Sequence, residues 1–139
     1  MHLPSHFPNL TPENHSEDSS PTKDYNCHAW AVGFTDRWFD HNNYWPDPVT
    51  RGEALRNYQR AYESIGFRVC GGWNVEEGFE KIAIYENNRR VTHTARLLND
   101  GRWTSKMGKS EDITHTRDAL DGPLYGRIVL IMRRKLLTP

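Results

Sequence analysis

Cys27 stands where a helix should begin, and a thiol in that position has access to chemistry. Asn26 is a good N-cap, and Ala29, Trp30, Ala31 and Val32 continue as a buried turn. A first-turn thiol faces unpaired backbone N–H groups and the positive end of the helix dipole, and both favour thiolate. Such a nucleophile needs a general base within hydrogen-bond reach. The chain has seven histidines. His2, His6 and His15 lie in a polar stretch rich in proline, His41 in an aromatic loop and His115 in a polar connection. His28 follows Cys27 directly, and helix neighbours point about 100° apart, so it is poorly placed to serve that thiol. His93 lies between Thr92 and Thr94 in a predicted strand, where it can face a helix N-terminus. The plain alternatives are a small buried cysteine and a half-exposed strand histidine.

The elements that must position these residues follow from pattern. Residues 1–23 carry Pro4, Pro8, Pro12 and Pro21 among polar residues and read as an irregular arm. A first helix is expected from Cys27 to about Phe34. The stretch 35–49 holds Trp38, Phe39, Tyr44 and Trp45 and is expected to pack as a lid or wall. Thr50 with Glu53 makes a capping-box pattern, and Leu55, Tyr58, Tyr62 and Ile65 share one helical face that Gly66 ends. Strands are expected at 67–70, 81–85, 91–98, 102–107 and 126–135, with Asn99-Asp100-Gly101 as a hairpin turn. Residues 111–120 read as an irregular or briefly helical connection. Helices first and an antiparallel meander after them imply an α+β arrangement, with 24–139 as one domain.

Composition narrows the function. Eighteen Lys and Arg balance eighteen Asp and Glu in 139 residues, which argues against a nucleic-acid partner. No apolar run is long enough to span a membrane, and the N-terminal residues do not read as a secretory signal, so a cytoplasmic location is expected. Cys27 and Cys70 are then expected as free thiols. No cysteine or histidine pair has zinc-ligand spacing, so a metal site drawn from Cys27, His28, His93 and Cys70 or His115 is not expected, nor is a cofactor. Five Trp, six Tyr and five Phe point to an aromatic core or cleft.

Two resemblances add to this reading. Asn26-Cys27-His28-Ala29-Trp30 resembles the nucleophile helix of papain-like cysteine hydrolases of the NlpC type. Residues 77–85 resemble the turn and first sheet strand of those enzymes, and 92–105 their base-bearing strand, hairpin and next strand. The resemblance implies a papain-like α+β fold with the Cys27 helix packed on an antiparallel sheet. It also implies a catalytic triad of Cys27, His93 and Ser105, in which Ser105 orients the imidazole. Asn26 and Tyr25 would help form an oxyanion hole, and Trp30 and Trp103 would line the cleft. From about Asp24 to Arg133 the chain also resembles a bacterial family of small domains of uncharacterised role, with the patterns YNCxAWAxG, EKxAxY, THxAR, DGxWTSKxG and EDIxH. The implied activity is a cysteine hydrolase (peptidase, amidase or deamidase) acting on a peptide or amide substrate. The competing reading is a catalytically silent papain-like interaction module with a protein partner. Asn26 in place of the usual acidic residue, and Ser105 as the third member, favour the latter.

Overall fold

Side chains alternate along a strand, so the apolar residues of 82–85 divide between two faces. Ile82 and Ile84 go to one core and Ala83 and Tyr85 to the other. Both faces are therefore covered. In a computed structural model, which describes residues 7–137, the strands are β1 (His15–Glu17), β2 (Arg68–Cys70), β3 (Phe79–Asn87), β4 (Arg90–Leu97), β5 (Trp103–Lys106), β6 (Asp112–His115) and β7 (Arg127–Lys135). They form one antiparallel sheet in the order β1-β6-β5-β4-β3-β7-β2. Two short helices join them, α1 (Cys27–Val32) and α2 (Leu55–Ser64). No helix among the described residues is long and apolar enough to cross a membrane.

The first face holds Ile82, Ile84, Val91 and Met132 against α1, α2 and the aromatic loop, whose Phe39 stacks on Tyr62 at 5.6 Å. The second holds Tyr85, Ala95, Trp103 and Ile113 against Phe7, Leu10, Ala119 and Leu120. Gly126 opens β7 with φ +77°, and a Cβ there would lie 2.0 Å from the Glu86 carbonyl oxygen, so only glycine allows this approach.

This architecture overturns the papain-like, NlpC-type α+β fold. Seven strands dominate, and the helices have only six and ten residues. Three local causes are visible. Gly33, in the left-handed region, donates its N–H to the last carbonyls of α1 and ends it early. The Thr50 capping box does not form, because the Glu53 carbonyl accepts from Val91 of β4 and α2 starts only after Ala54. Two segments read as irregular are strands: His15 to Glu17 of the arm pair with Ile113 to His115 of the connection. Residues 1–6 of the arm, His2 and His6 among them, lie outside the described residues.

Candidate functional site

The start of α1 is built as its sequence suggests. The Asn26 side-chain oxygen accepts from the N–H of Ala29 at 3.1 Å and of Phe39 at 3.0 Å, and its amide donates to the Phe39 carbonyl at 3.0 Å. Asn26 thus caps the helix and ties it to the aromatic loop. Cys27 follows, only 8% exposed. Burial pushes its thiol up to about 12, outweighing backbone hydrogen bonds from Thr94 and His28 that act the other way. One short turn of helix is too little to offset desolvation here.

His28, which sequence reasoning set aside, is anchored. Its Nδ1 is 2.8 Å from the Thr94 hydroxyl and 3.2 Å from that of Tyr62, and those two hydroxyls are 2.9 Å apart. The triangle joins α1, α2 and β4. Burial lowers the His28 pKa to about 4, so the ring is neutral. Its ring leans on Tyr58, whose hydroxyl is 3.1 Å from Nδ1 of His41. The inward spacing of Tyr58 and Tyr62 was readable as an apolar face, but nothing in it announced their hydroxyls' partners.

Thr94 faces α1, so its neighbour His93 faces the other side of the sheet. There the imidazole stacks on Tyr125 (4.2 Å between centroids, 10° between planes) and meets Tyr85 edge-on at 5.2 Å. Both ring nitrogens are buried without a hydrogen-bond partner. Burial holds its pKa well below the usual imidazole value. Ser105 is 2.7 Å from Nε2 of His115, whose Nδ1 is 2.7 Å from the Thr116 carbonyl. Nδ1 must donate to that carbonyl, so Nε2 accepts from the Ser105 hydroxyl. The predicted trio is therefore not assembled. Cys27 lies with α1, while His93 and Ser105 lie on the opposite face, Ser105 committed to a different histidine.

The remaining predicted residues divide likewise. Tyr25 and Trp30 stack at 5.4 Å beside Cys27, and the Trp30 indole donates to the Thr104 hydroxyl at 2.9 Å. Trp103, 2% exposed, belongs to the core of the second face. Lys106 is buried, donating to the Thr22 and Gly108 carbonyls under the Tyr25 ring.

A concave surface lies elsewhere. A cleft of about 850 Å³ opens where β7 ends beside the C-termini of both helices. Val32, Phe34, Ile65 and Phe79 give it apolar walls, and Arg68, Arg133, Arg134 and Lys135 make it cationic against a single lining carboxylate, Glu80. None of the sequence-predicted site residues lines it. Its signal in the sequence was the basic run 133–135, which read only as the end of a strand.

Fold and site together define a small antiparallel-sheet domain with a sealed cysteine and a basic, apolar-walled cleft. The chain belongs to the family described as Domain of unknown function (DUF7689), which it matches over residues 16–133. No curated protein and no solved structure matches it. The likeness to a family of small domains of uncharacterised role therefore stands, and nothing supports the NlpC likeness.

Proposed function

We propose that this domain binds rather than cleaves, as a catalytically silent interaction module. The observation that carries this reading is the separation of Cys27 from His93 and Ser105 across the sheet. A cysteine hydrolase needs a thiolate, or a base to make one, at a surface that substrate reaches. A thiol whose pKa burial pushes up to about 12 stays protonated at neutral pH, and neither His93 ring nitrogen is bonded to it. A concave surface lined by other residues offers a partner a place to dock.

Iodoacetamide labelling of the native chain, read by peptide mass spectrometry, tests this. Cys70, partly exposed, should react at about pH 8, and Cys27 only once urea unfolds the protein. Selective labelling of Cys27 at about pH 6, lost in a folded His93→Ala variant, would overturn the reading and favour a hydrolase of peptide or amide bonds.

A further inference from the structure

The basic cleft carries an inference that rests on the binding-module reading and names what is bound. Its four cations are not equivalent. Arg134 donates to the Ile65 carbonyl at 3.1 Å and to Glu80 at 2.8 Å, and reaches the Val32 carbonyl at 3.5 Å. It closes the ends of both helices and is committed. Arg133 is paired with Glu76. Arg68 donates only to the carbonyls of Glu63 and Phe67, and neither it nor Lys135 has a carboxylate partner among the described residues. Among the described residues, these two positive charges at the cleft have no carboxylate partner.

The walls decide the rest of the ligand. Phe34, Ile65 and Gly66 have their N–H groups bonded to the carbonyls of Ala29, Tyr62 and Glu63, and Arg134 occupies the carbonyls of Val32 and Ile65. A peptide lying there would find these helix-end groups already engaged, so its amides would have to turn to the edge strand β2 or to the charged side chains. A hydrocarbon chain brings no amides. The cleft's volume falls within the range of small-molecule sites, roughly 300–1,000 Å³.

We propose that the cleft takes a single-chain anionic amphiphile, its acid head on Arg68 and Lys135 and its hydrocarbon tail against Phe34, Ile65 and Phe79. The anion supplies a counter-charge, and the tail adds cover to apolar side chains that Arg37 on Phe34 and Arg133 on Phe79 shield only in part.

Isothermal titration of the full chain with dodecanoate, dodecyltrimethylammonium and acetate, below micelle-forming concentrations, tests each half of the proposal. Dodecanoate should bind with one site per chain, and the other two should not. The double variant Arg68→Gln, Lys135→Gln should weaken dodecanoate about tenfold or more, since two charge contacts are lost. Ile65→Gln, at a partly exposed position, should weaken it while the chain stays folded by circular dichroism. Equal binding of the cationic amphiphile, binding insensitive to these variants, or no binding of dodecanoate would each overturn the proposal. None of these outcomes touches the binding-module reading, which falls only on the thiol labelling.

Discussion

Three neutral histidines inside one small domain should make it acid-sensitive well above the usual carboxylate range. His28 and His115 have their pKa lowered to about 4 by burial, and burial holds His93 well below its ordinary value. In the unfolded chain each should titrate near about 6.5. A group whose folded pKa is depressed leaves stability intact above the unfolded value. Below it, the unfolded chain binds protons that the folded chain refuses, so stability falls with pH until the folded pKa is reached. Between pH 7 and pH 5, a shift from about 6.5 to about 4 costs about 2 kcal/mol per group, or about 4 kcal/mol for His28 and His115 together. His93 steepens the same slope. Small domains have only about 5–15 kcal/mol in total, so most of the stability should be gone near pH 5. The carboxylates of Asp36, Glu76 and Asp100, held low by hydrogen bonds from arginine partners, lose their contribution only at lower pH and do not blur this window. Urea unfolding followed by tryptophan fluorescence at half-unit steps from pH 7.5 to 5 gives the slope. Proton uptake on unfolding should exceed two per molecule around pH 5, and His93→Phe should lower it by about one. An uptake below one, or a slope unchanged in that variant, would refute the assignment of these rings as buried and neutral.

Three further outcomes follow from single contacts. Asn26→Ala removes the cap on Ala29 and both bonds to Phe39, and should lower stability by about 2–3 kcal/mol by urea midpoint. Gly126→Ala, whose Cβ would meet the Glu86 carbonyl, should abolish folding by circular dichroism, whereas Gly101→Ala, in open space at φ +89°, should cost only about 1–2 kcal/mol. Arg134→Met frees the carbonyls of Ile65 and Val32 and the Glu80 carboxylate, and should cost about 2–4 kcal/mol by thermal or urea unfolding.

The central meander was legible because its signals are local. Alternation in 81–85 and 91–98, the Asn99-Asp100-Gly101 turn and the apolar run of 126–135 correspond to β3, β4, the β4–β5 hairpin and β7. The β3–β4 and β4–β5 pairings follow from short connections, whereas β7 returns from far along the chain to pair with β3 and β2. The strand β2 at one edge was legible too, but β1 and β6 at the other were not. β1 has the sequence His-Ser-Glu and β6 Asp-Ile-Thr-His, and neither announces a strand: β6 is held by its pairing with β5, and β1 by its pairing with β6. Phe7 and Leu10 likewise read as arm residues, yet they cover the second face of the sheet. The cleft was invisible for a related reason: Val32, Ile65 and Arg134 come from three elements that meet only in the folded chain.

The predicted trio failed on a single step of strand alternation. Within β4 the choice between residues 93 and 94 decides which side chain meets α1, and the sequence marks neither face as inner, because both are covered. An imidazole is the natural base for a helix-terminal thiol, and that expectation places the His93 side against α1. The fold seats α1 instead on the hydroxyl-bearing side of the sheet. His28 is bonded to Thr94 and Trp30 to Thr104, the latter on the strand paired with β4. Those two hydrogen bonds fix the register of a helix too short to hold itself by propensity. The histidine discarded as a base for Cys27 is thus a tether for the helix that carries it. The same docking explains the sealed thiol. A helix drawn down by polar side chains on either side of Cys27 brings its first turn against β4, where desolvation outweighs the dipole and leaves the cysteine protonated.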